Sequence, residues 1–411
     1  MEPKRFNGER LKTARLFNGL TLTELADRTQ ISKQSISLYE NNRNTPDYKR
    51  VHTIATVLGF PFEYFFQEDN YTTTTETTYF RSLASATKKD RTAQSIKLEF
   101  VARMYEVLCN YIEFQPFVDA DVSFTGYDDA YEADSPAAIA EIEEAAQKVR
   151  NQWNIENGPI KDLQHLLENH GVLITGFPAD GDRIDAFSQR TVVDGNAIYL
   201  IAVVLGQRPE GRICFDMAHE LGHIILHPWS EDLELIPKEE FKSRERQANM
   251  FASAFLLPRE SFGRDVSRYP TDLKYYLFLK NRWHVSMQAM IYRSHQLNII
   301  TTNQYQYLMR QISKNGWRTK EPGDVPFSLS ESIFQGAIDL LFDNHILTAK
   351  TLMQEFRRNG ITLHPNTVEK LLHLREGTLD CEDKVIPLFQ LKKQEPEDVE
   401  VISQDEKDVR T

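Results

Sequence analysis

The stretch Phe215-Asp216-Met217-Ala218-His219-Glu220-Leu221-Gly222-His223-Ile224-Ile225-Leu226-His227 decides how the chain is read. Its apolar residues crowd around His219, Glu220 and His223. This predicts a dry, buried helix, in which two imidazoles and a carboxylate need a reason to exist. On a helix His219 and His223 stand one turn apart, project from one face and can hold one ion together. Glu220 lies beside them, near enough to take a proton from a water at that ion, as in the His-Glu-x-x-His arrangement of zinc hydrolases. Three fixed residues in five recur by chance, so a catalytic site also needs a third protein ligand and an open fourth position.

A second helix can supply that ligand. Ser243-Arg244-Glu245-Arg246-Gln247-Ala248-Asn249-Met250-Phe251-Ala252 turns Ala248, Phe251 and Ala252 toward a core, and Glu245 and Asn249 are four apart. Glu245 is placed to reach the ion, and Asn249 to hydrogen-bond a ligating histidine from behind. The 22 residues from His223 to Glu245 allow a turn and a returning helix. His227 and Asp216 compete for the same role. His227, next to Pro228, also reads as a packed helix-terminal residue, and Asp216 as a locally hydrogen-bonded carboxylate.

Working outward, Val172-Leu173-Ile174 and Ala197-Ile198-Tyr199-Leu200 read as strands, with turns at 180–182 and at Asp194-Gly195 between them. The apolar run from Ala197 to Val204 is either a plain core strand or an edge that binds a substrate backbone. Tyr292, Arg293 and His295, on a later helix, are open either as oxyanion donors or as ordinary surface polar groups. Ser135-Pro136 caps a helix running to about Trp153, and residues 88–114 form one long amphipathic helix. The threonine run 72–78 is a linker or a strand.

The first 66 residues are short helices. Thr21 with Glu24 has the spacing of a capping box, and Ser32 caps the next helix. That helix presents short polar residues, Lys33, Gln34, Ser35 and Ser37, suited to reading base edges in the major groove, with Arg43 placed for phosphate. This segment carries ten Lys/Arg and seven Asp/Glu, or +3, so a body of −15 accounts for the total of −12. A modest +3 implies weak affinity per domain and a need to dimerise.

Two resemblances follow. Leu25-Ala26, Ile31-Ser32, Ser35-Ile36-Ser37, Tyr39-Glu40-Asn41 and Pro46 are similar to the Xre/Cro repressor domains. Arg212, Phe215, Ala218-His219-Glu220-Leu221-Gly222-His223, then Glu245, Ala248-Asn249, Phe251-Ala252 and Leu256-Leu257-Pro258 resemble the ImmA/IrrE metallopeptidases. So do Ile184-Asp185-Ala186-Phe187-Ser188 and Trp283-x-Val285-Ser286-x-Gln288-Ala289. The second resemblance covers about 155–320. It implies a gluzincin-like core with one zinc ion on His219, His223 and Glu245, Glu220 as base, and a protein substrate, commonly a repressor. The first implies a homodimer on a double-stranded operator. Tyr79-Phe80-Arg81-Ser82 resembles the connector of such fused proteins.

The expected fold is mainly α with a small sheet (α+β). It comprises a five-helix DNA-binding domain over 1–67, a connector with a long helix and acidic loop over 68–154, the metallopeptidase domain over 155–320, a helical module over 321–393 ending in a strand at 385–391, and a disordered acidic tail over 394–411. Cys109, Cys214 and Cys381 make neither a disulfide framework nor a thiolate metal site. With no secretory signal, and a longest apolar run about half of the roughly 20 residues a membrane helix needs, a cytoplasmic location and no membrane partner are expected. The competing reading is a regulator, such as one from a toxin–antitoxin pair or mobile element, whose zinc domain is structural or sensory.

Overall fold

Capping side chains set the N-terminal helices of the protein, seen in a computed structural model that describes residues 5–68, 72–80, 87–118, 122, 124, 135–178, 186–206, 208–229 and 235–380. Asn7, Thr21, Ser32 and Asp47 cap α1 (Gly8–Phe17), α2 (Leu22–Thr29), α3 (Lys33–Glu40) and α4 (Tyr48–Leu58), each accepting a backbone N–H of the first turn. The fifth helix expected here is a 3-10 turn, Phe62–Phe66, placed by Pro61 before it. Inside this bundle Arg15 makes a buried two-point contact with Glu40 at 2.6 and 3.0 Å.

The threonine run is a strand, β1 (Thr73–Phe80). The long helix α5 (Lys88–Leu108) ends earlier than its sequence pattern suggests, at Cys109-Asn110, where the Asn110 amide turns back onto the Val107 carbonyl. Then come α6 (Pro136–Gln152), capped by Ser135, α7 (Leu163–Glu168), β2 (Val172–Pro178), β3 (Ala186–Val193) and β4 (Asn196–Leu205). The strand β3 is one the hydrophobic pattern does not announce. The remaining elements are α8 (Glu210–Leu226), α9 (Lys238–Leu256), α10 (Arg259–Val266), α11 (Leu273–Trp283), α12 (Met287–Gln296), α13 (Thr302–Lys314), α14 (Ile333–Asp343), α15 (Ala349–Arg358) and α16 (Pro365–Leu372). Most of the acidic loop, the expected strand at 385–391 and the tail lie outside the described residues.

The four strands form one mixed sheet in the order β1-β3-β4-β2, with β2 parallel to β4 and the other pairs antiparallel. Strand β4 is paired on both sides, which rules out the run from Ala197 to Val204 as an edge for a substrate strand. Alternation along the strands then divides the protein. Tyr79, Val172, Ile174, Ala186, Ile201 and Val203 join the core built with α6 and α8 to α13. Leu173, Phe177, Phe187, Ile198, Leu200 and Ala202 join a second core, with α1 to α5 and α14 to α16. Burial on both faces explains why β4 is an unbroken apolar run.

The N-terminal bundle is thus packed against the body. The Phe100 ring on α5 meets Phe17 at 5.6 Å and Phe60 at 6.4 Å. Lys89 bonds Glu24 at 2.8 Å, and Arg10 reaches the Gly360 carbonyl at 3.0 Å. Truncation of the buried ring in Phe100→Ala is expected to cost about 3–5 kcal/mol. Urea unfolding followed by tryptophan fluorescence checks this. All four tryptophans belong to the other core or its margin, so a midpoint unmoved by the substitution would mean the two cores unfold independently.

Candidate metal centre and nucleic-acid interface

The helix α8 is apolar all round because it crosses beneath the sheet with α9 on its other side. His219, Glu220 and His223 are each fully buried within it. The approach of α9 depends on Gly222: a Cβ there would stand 3.1 Å from both the Ala248 Cα and the Ala248 carbonyl oxygen. With that gap closed, Glu245, one turn before Asn249, reaches the two imidazoles. His219 Nε2 and His223 Nε2 are 3.1 Å apart, and the Glu245 oxygens lie 3.5 Å from the first and 3.2 Å from the second.

Those three spacings test a metal. Ligands about 2.0–2.1 Å from a tetrahedral zinc ion stand about 3.3 Å from one another. The three spacings, two of them to different oxygens of the one carboxylate, lie on either side of that value, and imidazole nitrogens with a carboxylate oxygen are donors zinc accepts. Burial by itself would raise the pKa of Glu245. The hydrogen bonds and charge of His219 and His223 outweigh it and hold the carboxyl at about 2, so it is present as the anion a cation requires.

The groups behind the ligands fix their protonation. Gln247 Oε1 lies 3.0 Å from His227 Nε2, and an amide oxygen accepts, so that nitrogen carries the hydrogen. Burial, reinforced by neighbouring His223, pushes the pKa of His227 well down and keeps the ring neutral. Its Nδ1 is therefore a lone pair, which accepts from His223 Nδ1 at 2.9 Å. With a cation bound, His223 would present its Nε2 lone pair to it, beside His219 and Glu245. Glu220 is oriented separately: the Ser188 hydroxyl on β3 donates to its Oε2 at 2.6 Å. Tyr79 of β1 stacks on the His223 ring at 4.5 Å and 17°. Its hydroxyl donates to the Pro228 carbonyl at 2.6 Å and accepts from Arg244 at 3.2 Å.

The structure thus brings together His219, Glu220, His223 and Glu245. It does not aim Asn249 at a histidine, because the Asn249 amide bonds the Glu245 carbonyl at 2.7 Å within its own helix. The sequence pattern gives Ser188, Gln247 and Tyr79 no place at the site, and it leaves His227 between a ligand and a packed helix-terminal residue. The i, i+4 step from His223 to His227 was the one available signal. Of the open oxyanion donors, Arg293 is buried and engaged with Glu143 and the Leu257 carbonyl, while His295 bonds Thr302.

In the N-terminal bundle, Lys33, Gln34 and Arg43 are exposed and Ser35 and Ser37 half-exposed at the start of α3 and beyond it. Ser35 is partly spent on the cap, its N–H and hydroxyl both meeting Ser32. The capping box of Thr21 with Glu24 is formed, and Gln30 makes the turn between α2 and α3 in the left-handed region, φ 57°.

Residues 167–295 match the family model of the IrrE N-terminal-like domain, peptidase family M78, and residues 8–71 match a helix-turn-helix domain model. Together they make the protein a helix-turn-helix DNA-binding domain joined to a metallopeptidase-type domain, the architecture of a regulator with a protease domain. No curated protein matches the chain significantly. Among the described residues no helix is long and apolar enough to cross a membrane.

His227→Phe keeps an aromatic ring at the position and removes the bond that orients His223. It is expected to weaken zinc binding about 10–100-fold, measured by competition with a chromogenic chelator; unchanged affinity would remove His227 from the site.

Proposed function

We propose that the protein is a DNA-binding transcriptional regulator whose second domain is a zinc-dependent endopeptidase that cleaves a repressor-type protein in the cytoplasm. The observation that carries this is the triangle of His219, His223 and Glu245 with Glu220 next to it in sequence and tied to β3. His219, His223 and Glu245 would hold one zinc ion per chain. Such an ion supplies Lewis acidity, polarising a scissile carbonyl and making water a nucleophile near neutral pH.

The chain's own residues do the rest. Glu220 accepts the proton of the attacking water and delivers it to the departing amine. Ser188 holds one Glu220 oxygen in place, so the carboxylate does not swing away during that transfer. The relay from Gln247 through His227 keeps His223 in the tautomer whose Nε2 has no hydrogen.

For the first domain the reading is a homodimer on a palindromic operator, with Lys33, Gln34, Ser35 and Ser37 at base edges and Arg43 at phosphate. The exposure of the first two and of Arg43 supports it.

Purified protein should contain about one zinc per chain by metal analysis, and co-expressed candidate repressors should be cut. Glu220→Gln should retain the metal and lose about 10²–10⁴-fold in cleavage rate; cleavage at the wild-type rate would end the peptidase reading. On a selected operator, Gln34→Ala should lose about 1–3 kcal/mol of discrimination at one base pair. Arg43→Ala should instead weaken all sequences alike and lower the salt slope by about one. Binding titrations at several salt concentrations separate the two outcomes.

A further inference from the structure

A peptidase has to hold its substrate backbone extended, and a sheet edge does this by adding the peptide as one more strand. Strand β3 brings a side chain to Glu220, through Ser188. One side of β3 is paired with β4. The other is taken by β1, the one strand of the sheet that comes from outside residues 167–295. Strand β1 runs antiparallel to β3, with Tyr79 directly across from Ser188. The backbone of Tyr79 therefore lies opposite the residue that orients the general base, and its ring lies on the ligand His223. His227 and Trp229 complete the enclosure of that ring at 5.8 and 5.0 Å.

We propose that the β3 edge is the docking edge for an extended peptide, and that β1 occupies it as the chain's own stand-in for that peptide. This rests on the peptidase reading above. The substrate segment it implies is extended, rich in strand-forming residues, and aromatic at the position of Tyr79. Such a segment competes with β1, and reaches the buried His219, Glu220 and His223 only when β1 leaves. Displacement would begin at a weak point in the ladder: the register of β1 slips between Thr75 and Thr78, in a strand of eight residues.

The test uses the full chain carrying Glu220→Gln, so that binding is read without cleavage. The probe is a fluorescent synthetic peptide with the sequence of residues 72–81. Adding Thr74→Pro removes a ladder donor from β1. Hydrogen exchange of the β3 amides should quicken, and anisotropy should show the peptide binding about a hundredfold tighter than before, because the tethered competitor is gone. The same peptide with alanine for tyrosine should lose that gain. Should the proline protein fail to fold, Tyr79→Phe removes only the hydroxyl and its two hydrogen bonds, and should raise peptide binding several-fold. The proposal is overturned if β3 exchanges faster yet binds no peptide, if both peptides bind alike, or if Tyr79→Phe changes nothing. It is also overturned if the metal-loaded wild type cuts its own connector, since β1 would then be a substrate. Peptide binding that persists in a protein holding no zinc and cutting no repressor would sink the peptidase reading alone.

Discussion

The metallopeptidase-type half of the structure depends on one close approach, that of α9 to α8 across Gly222. Glutamate has a short reach, and Glu245 meets both imidazoles only because no side chain separates the helices where Ala248 passes. Several other choices follow from this contact. At the closest point α9 presents the small Ala248, with the Phe251 ring beside it, and Ala252 and Phe255 are buried further along the same helix. Burial of this depth is hostile to isolated charge. The site answers part of it from within: the carboxylate lies against two rings, one ring is held by a third, and that third is held by an amide.

The sheet is a partition with work on both faces. One face carries Ser188 and Tyr79 to the helices of the candidate metal centre, and the other carries Leu173, Phe187 and Leu200 to the core shared with the DNA-binding bundle. A side chain on either face sits one pleat from a neighbour on the opposite one. Phe187 and Ser188 are adjacent in sequence and serve different halves of the molecule. The helix-turn-helix is consequently packed through α5 on the back of the sheet that frames the candidate metal centre.

The sequence made legible what depends on local spacing. The four-residue steps in α8 and α9, the caps at Thr21, Ser32 and Ser135, and the apolar runs of β2 and β4 each carry a short-range signature, and each formed where expected. What stayed hidden depends on distant partners. Strand β3 reads Ala-Phe-Ser-Gln-Arg-Thr-Val-Val, and its polar middle masks the alternation, because Ser188 faces Glu220 and Gln189 faces Thr78 and Thr191. The threonine run was ambiguous for the same reason, since nothing local says that Tyr79 ends against a histidine 144 positions later. Treating β4 as an edge failed because strand order is a property of the whole sheet. Asn249 was placed on the correct helix, but its amide bonds the backbone of its own turn.

The bonds at Tyr79 have a consequence for how this chain can vary. Successive residues of a strand face opposite ways, so inserting or deleting one residue in β1 would turn every later side chain to the other face. Tyr79 would leave His223, Pro228 and Arg244 at once and point toward the DNA-binding side. Exchange of one threonine for another strand-forming residue disturbs none of these contacts. The eight residues of β1 should therefore drift in composition far more freely than in number, and the count of residues between the two functional halves becomes the inherited quantity.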